Sequence, residues 1–200
     1  MNKCLICFES VEETINNFKV CKRCKDKLKV IEKIIYVDNV EVLILYLYDD
    51  FFKQILYRYK GCYDIALREV FLNGYLVKLK RKYKNRKIVC APSFSKDDEN
   101  RGFNHVEEIA KLLDLDIIRC LKKNKNYKQS DQKMIDRGHI QNIIEIDKSK
   151  INDKDRLLII DDVTTSLSTL KTIIGLLSTN VDKKALIIAS SCRFMENENI

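Results

Sequence analysis

Glycine and proline are nearly missing from this chain, with five and one respectively in 200 residues. No G-x-x-x-x-G-K-[ST] stretch occurs, which excludes a P-loop nucleotide hydrolase, and any phosphate site must work with little glycine. Tryptophan is absent, and the two histidines, His105 and His139, are too few and too separated for a histidine metal site. Long apolar runs are absent too. Val42 to Tyr48 covers about a third of the ~20 residues a membrane span needs, so no membrane insertion is expected. The opening MNKCLICF has no apolar signal core. What is present is ordinary globular material, 46% hydrophobic and 33% charged. The length suits one domain, or one domain with a small module. Eight cysteines beside so much conventional core read as intracellular thiols or metal ligands, and the expected location is cytoplasmic.

Periodicity gives an α/β order. A cysteine-paired segment and a basic helical stretch are expected up to about Tyr36. Val40–Tyr48 reads as a strand, followed by a helix capped by Asp49 or Asp50 and ending near Gly61. Tyr63 to Tyr83 has helical spacing with Gly74 as its weak point, and Ile88–Ala91 reads as a buried strand ended by Pro92. Gly102–Leu113 is expected as helix and Leu115–Leu121 as strand. Residues 122–139 are polar, basic and aperiodic, the mark of a long functional loop. Ile143–Ile146, Leu157–Ile160 and Ala185–Ala189 then read as strands, with a helix over Ser168–Leu177. Strands alternating with helices imply crossovers and a mainly parallel sheet.

Cys4 and Cys7 form one C-x-x-C and Cys21 and Cys24 another, 13 residues apart. Duplicated knuckles suit one tetrahedral Zn²⁺ at about 2.3 Å per thiolate. The segment is too small to own a core, so the metal would supply its folding energy. A disulfide pair is the alternative. Cys62, Cys90, Cys120 and Cys192 lie among apolar neighbours and read as core thiols.

The richest stretch runs from Leu157 to Thr169. Four apolar residues make a buried strand, Asp161 and Asp162 follow at its C-terminal end, and five hydroxyl residues lead into a helix. Ligands bind at that end of parallel strands. Hydroxyls and amides at a helix start suit a phosphate, and paired carboxylates suit the two hydroxyls of a ribose. Plain helix capping explains one or two of the hydroxyls.

This stretch resembles the phosphoribosyl pyrophosphate (PRPP) motif of type I phosphoribosyltransferases. The whole chain resembles the ComF family of competence proteins, which pairs a four-cysteine zinc module with a phosphoribosyltransferase-like domain. The resemblance rests on the paired knuckles, Tyr59-Lys60-Gly61, Ala91-Pro92-Ser93, Arg101-Gly102-Phe103-Asn104, Lys128-Gln129-Ser130, Arg137 and the acidic strand end. It implies a zinc-ribbon-like module over residues 1–36 and a type I phosphoribosyltransferase-like domain over 37–200. It implies that Asp161 and Asp162 meet the ribose hydroxyls and that Thr165, Ser166 and Thr169 surround the 5-phosphate, with Thr164 and Ser168 in the same hydroxyl run. Ala91, Pro92 and Ser93 would lie in the pyrophosphate loop, and 122–139 would close over the site. Mg²⁺ would accompany PRPP, held largely by ligand oxygens and water. Two departures stand out. Leu167 occupies the family's glycine position, where positive φ is wanted, and His105 stands where the family often has glutamine.

The excess positive charge, +8 overall, is concentrated. Lys78, Lys80, Arg81, Lys82, Lys84, Arg86 and Lys87 put seven cations in ten residues, and Arg119 to Lys128 adds five more around Tyr127. Such clusters either neutralise nucleic-acid phosphates or form a solvated face. Two functions follow. The first is a binding role in natural competence, assisting uptake of single-stranded DNA into the cytoplasm beside a helicase-type partner, with PRPP or a nucleotide as ligand. The second is Mg²⁺-dependent transfer from PRPP to an unknown acceptor, which the loss of the loop glycine at Leu167 argues against.

Overall fold

The computed structural model describes residues 2–11, 19–123 and 144–191. Near the N-terminus, β1 (Asn2–Lys3) and β2 (Ser10–Val11) pair antiparallel, and a short helix, α1 (Lys22–Lys27), follows. The expected basic helical stretch thus ends at Lys27. Residues Val30–Val37 form β3 instead, because Ile35 and Val37 alternate inward while Ile34 and Tyr36 face out, a period-2 pattern. Asp38 and Asn39, both at positive φ, turn the chain tightly into β4 (Val40–Leu47). The division expected between residues 36 and 37 therefore falls inside a strand of the main sheet.

That sheet has five strands in the order β3-β4-β9-β8-β5. Only β3/β4 is antiparallel; β4/β9, β9/β8 and β8/β5 are parallel. Its members are β5 (Lys87–Cys90), β8 (Arg156–Thr164) and β9 (Asp182–Ser190) with the first hairpin. Successive strand residues point to opposite faces. Leu43, Leu45, Leu158, Ile160, Leu186 and Ile188 pack on one side with Phe52, Tyr59, Phe71 and Ile109. Val42, Ile44, Leu157, Ile159, Ile187 and Val89 pack on the other with Leu170 and Ile173. The result is a mixed α/β protein with a mainly parallel sheet between two apolar layers and a four-cysteine cluster at its N-terminal end. No described helix is long and apolar enough to cross a membrane.

The helices follow the sequence with local exceptions. Helix α2 (Asp50–Gly61) starts where Asp49 accepts a hydrogen bond from the Phe52 amide at 3.0 Å. The Tyr63–Tyr83 stretch is broken rather than continuous. A 3₁₀ turn (Ile65–Leu67) and α3 (Arg68–Phe71) are separated from α4 (Leu76–Tyr83) by a turn in which Gly74 takes φ +82°. A helix missed by periodicity, α5 (Ser95–Arg101), buries no residue and so shows no apolar stripe. It stops at Gly102, φ +79°, and α6 (His105–Ala110) begins after the Asn104 cap. Leu115–Leu121 is mostly irregular, touching the sheet through one bridge from Ile117 to Ile88, and β6 (Leu121–Lys123) pairs with β7 (Ile144–Ile146) in a separate ribbon. Helix α7 (Ser168–Leu176) is the last helix among the described residues. Lys128, Gln129, Ser130, Arg137 and Cys192 lie outside the described residues.

The register collects two different edges. Leu47 pairs with Ser190, Ser190 with Thr164, and Cys90 with Ile160, so the parallel strands finish together. Their N-terminal ends, at Glu41, Asp182, Arg156 and Lys87, form the opposite edge. The basic run of α4 lies there and is largely neutralised. Lys82 pairs with Glu41 at 3.0 Å, Lys87 with Asp155 at 2.8 Å, Lys80 with Asp114 at 3.9 Å, and Lys78 with Glu32. Arg86 is only 6% exposed; it grips Asp182 with Nη2 at 2.8 and 3.0 Å and donates to the Leu157 carbonyl at 3.0 Å. Of the seven cations expected to meet nucleic acid, Arg86 is a structural clamp, and only Arg81 and Lys84 have no acidic partner among the described residues. Replacing Arg86 with Met should lower unfolding stability by about 1–3 kcal/mol, because the buried Leu157 carbonyl loses its donor while Asp182 keeps only Arg156 among the described residues. A urea midpoint equal to wild type would contradict this role.

Candidate functional site

The strand ends open into a cleft of about 1100 Å³ walled by α2, α5 and the Ala91-Pro92-Ser93 loop. Both acids line it. Strand β8 continues through them to Thr164 rather than stopping before them, so Asp161 and Asp162 point to opposite faces. Asp162 shares the face of Leu158 and Ile160, toward α2 and α6, and is buried.

A carboxylate in that position needs cations, and the neighbouring helices supply them. Lys60, in the last turn of α2, forms an ion pair with Asp162 Oδ2. His105 Nε2, at the start of α6, lies 3.8 Å from Oδ1. Arg101 Nη1 stands 3.2 Å from His105 Nδ1, while its Nε donates to the Lys60 carbonyl at 3.1 Å. A guanidinium only donates, so Nδ1 must carry a lone pair and the ring proton sits on Nε2, facing Asp162. Burial lowers the His105 pKa, and the charges of Lys60 and Arg101 add to this against the pull of Asp162. His105 is therefore a neutral donor.

The acids split. Burial disfavours ionisation of Asp162, yet the Lys60 charge and the His105 ring N–H 3.8 Å away outweigh it and hold that carboxyl well below the usual carboxylate range. Asp161 goes the other way: burial, then the charge on Asp162, push it up to about 8. Its Oδ1 accepts the Asp162 amide at 2.9 Å. Opposite shifts on adjacent carboxyls are common where a site does chemistry.

The loop after β5 is fixed from below. Ser93 donates to Asp98 Oδ2, and Asn104 Nδ2 donates to Ser93 Oγ at 2.9 Å and to the same Asp98 oxygen at 2.7 Å. Arg101 closes the group on Asp98 Oδ1 at 2.9 Å. Ala91, Pro92 and Ser93 line the cleft as expected of them, but the Ser93 hydroxyl is already engaged.

The hydroxyl turn is divided as well. Thr164 is buried, and its Oγ1 accepts the Leu167 amide at 2.8 Å. Thr165 and Ser166 are exposed at the tip, the Ser166 and Ser168 hydroxyls are 2.5 Å apart, and Thr169 lines the cleft. Leu167 takes φ +56°, ψ +10°, the left-handed conformation of a glycine, with its side chain buried beside Leu170 and Ile173. That anchorage holds the torsion.

Residues from α2 and the turn after it complete the wall. Tyr57 and Tyr63 are 68% and 51% exposed at the cleft. The Tyr57 ring lies over Gly61, where a Cβ would come within 3.0 Å of it. Lys60, His105 and Arg101 carried no assigned role in the sequence, because nothing in their spacing shows that α2 and α6 converge on β8. The signal was in the quoted segments Tyr59-Lys60-Gly61 and Arg101-Gly102-Phe103-Asn104.

At the N-terminal end the Sγ atoms of Cys4, Cys7, Cys21 and Cys24 all lie within 4.8 Å of one another, and Cys7 and Cys21 are 3.7 Å apart. Tetrahedral thiolates at 2.3 Å from a metal sit about 3.8 Å from each other, so the four fit one ion. The Cys21 amide donates to Cys4 Sγ at 3.3 Å. Arg58 of α2 holds the first knuckle, donating to the Ile6 and Leu5 carbonyls at 2.6 and 3.1 Å. No disulfide joins the described cysteines, and Cys62, expected in the core, is exposed.

No family model matches this chain. Competence protein ComFC of Bacillus subtilis is 27% identical over 154 residues, which cover 76% of this chain and 62% of that protein. The match thus spans less than two thirds of the relative's own length. Among solved structures, hypoxanthine phosphoribosyltransferase of Staphylococcus aureus aligns with a TM-score of 0.39 at 15% identity, over 63% of this chain and 64% of that one. Adenine phosphoribosyltransferase of Saccharomyces cerevisiae aligns with a TM-score of 0.43 at 14% identity, over 88% and 89%. The ComFC match and the four-cysteine cluster fit a ComF-like protein, as the sequence resemblance implied.

The split acids make a prediction with a definite sign. The folded pKa of Asp161 lies above its unfolded value, so its favourable contribution is complete below about pH 4 and is lost as pH rises toward the folded value. Asp161→Asn keeps the neutral form at every pH. Its stability advantage over wild type should therefore grow between pH 5 and pH 8 in urea titrations. An advantage that is flat or shrinks over that range would show Asp161 to be ionised throughout.

Proposed function

We propose that this chain acts in natural competence, assisting uptake of single-stranded DNA into the cytoplasm beside a helicase-type partner. In this reading its cleft binds the ribose 5-phosphate part of a nucleotide without turning it over. The observation that carries it is the internal charge balance of Asp162. With Lys60 already paired to that carboxylate and His105 facing it, the cleft offers Asp161 to a ribose hydroxyl and Thr169 at the helix start to a phosphate. A site balanced without its ligand is suited to holding one, and the likeness to ComFC supports the setting.

A second reading, Mg²⁺-dependent phosphoribosyl transfer from PRPP, is favoured by one observation. Leu167 takes the left-handed torsion that the missing glycine would have supplied, so the turn survives the substitution. In that case Mg²⁺ would rest on the ligand's own oxygens and water, since the Lys60 ammonium already occupies Asp162. Asp161 and Asp162 would orient the ribose, and the wall formed by α2 would keep water from it.

Calorimetric titration with PRPP, with and without Mg²⁺, separates the two. Heat is expected for wild type and should vanish in a folded Asp161→Ala/Asp162→Ala variant, with no pyrophosphate released when nucleobases are added. Release by wild type alone moves the assignment to the transferase. No heat for wild type removes the ribose-phosphate pocket from both readings.

The four-cysteine cluster is assigned to structural zinc, held by Cys4, Cys7, Cys21 and Cys24, whose chemistry is to tie the N-terminal loops together. Elemental analysis of purified protein should find about one Zn²⁺ per chain. A metal-free protein with an unchanged melting profile would refute it.

A further inference from the structure

We infer that single-stranded nucleic acid is held at the C-terminal edge of the sheet, along the cleft and a second cavity beside it, and that the seven-cation run over residues 78–87 takes no part. This rests on the DNA-handling role proposed above and locates it. The second cavity, about 550 Å³, lies across the Ala91-Pro92-Ser93 loop from the first, and both cavities share that loop and Lys123. Lys123 is fixed there by a bridge to Phe94.

Two cations are left unpaired at each edge among the described residues, Arg81 and Lys84 at one and Lys122 and Lys123 at the other, but their settings differ. Around α4, five of seven cations are matched to carboxylates, and Arg86 is buried. Around the second cavity it is the acids that are matched. Arg101 and Asn104 hold Asp98, and Arg119 grips Glu107 at 2.7–3.0 Å. Lys122 and Lys123 are exposed and have no ion pair among the described residues, although Lys122 faces Glu145 across the ribbon. Unpaired lysines can exchange solution counterions for phosphates without first breaking an internal pair.

The aromatic groups decide between the edges. Tyr57 and Tyr63 present largely exposed rings to the first cavity, and the absence of a side chain at Gly61 lets the Tyr57 ring lie flat across the end of α2. Exposed rings beside free cations are what a single strand needs, since unpaired bases stack while the backbone follows the charge. A duplex keeps its bases stacked internally and gains only the electrostatic part. One nucleotide would place its base against the tyrosines and its sugar near Asp161. The phosphate that follows would pass over Lys123 into the second cavity.

The test is fluorescence anisotropy with a labelled oligo-dT of about 20 nucleotides and a duplex of the same length, at several salt concentrations. Lys122→Glu/Lys123→Glu should weaken single-strand binding at least tenfold and make the log–log salt slope shallower by about 1.4, for two phosphate contacts at ~0.7 each. Tyr57→Ala should weaken it about tenfold with the slope unchanged. Arg81→Glu/Lys84→Glu should stay within about twofold of wild type. Loss in the α4 variant with retention in the Lys122/Lys123 variant would overturn the location while leaving the DNA-handling role intact. Equal affinity of wild type for single strand and duplex would overturn the stacking. No binding by folded wild type would remove the DNA-handling role itself.

Discussion

The pairing of Lys60 with Asp162 is the constraint around which the cleft is built. A carboxylate buried at the end of a central parallel strand costs several kcal/mol unless a cation is brought to it. Helix α2 must therefore end at that point, with its C-terminal dipole favouring the ammonium it delivers. Its start is fixed by Asp49 at the end of β4 and its end by the Asp162 carboxylate on β8. Other bonds follow from this convergence. Tyr59 donates to the His105 carbonyl at 2.7 Å, and Arg101 reaches the Lys60 carbonyl, so α5 and α6 are seated on the end of α2. The Ser93–Asp98–Asn104 group then hangs from α5 and shapes the loop after β5.

How much of this was legible in the sequence depended on whether the signal was local. Apolar runs marked β4, β5, β8 and β9, and alternation with helices implied the parallel sheet. The duplicated C-x-x-C spacing brought four sulfurs together because knuckles are local turns. Strand β3 was misread as helix because Glu32 and Lys33 stand side by side and interrupt the alternation. Helix α5 had no apolar face to reveal it. The site showed the same contrast. Asp161, Asp162 and Thr169 sit in one continuous stretch and could be read. Lys60 and His105 are brought to Asp162 only by tertiary packing. The cations of residues 78–87 looked available because the carboxylates that match them, such as Glu41, Asp155 and Asp182, are distant in sequence.

The two departures from the family pattern become intelligible in the structure. A neutral imidazole with a lone pair on Nδ1 and a proton on Nε2 offers one acceptor and one N–H donor, the pattern of a glutamine carboxamide. His105 can fill that place without adding charge to the cleft. Leu167 adopts the torsion its glycine counterpart would take, because Leu170 and Ile173 bury its side chain while Thr164 accepts its amide. Core packing thus offsets the cost of a left-handed leucine, of order 1–3 kcal/mol.

The position of β9 between β4 and β8 sets an order of assembly. Glu41 meets Lys184 across 143 residues of chain, so neither half of the sheet can close until almost the last strand has been made. At ordinary elongation rates of about 5–20 residues per second, the finished β3–β4 hairpin waits roughly 7–30 s on the ribosome with Val42 and Ile44 uncovered. An apolar strand that is largely buried in the folded molecule therefore stays without its parallel neighbour through most of synthesis.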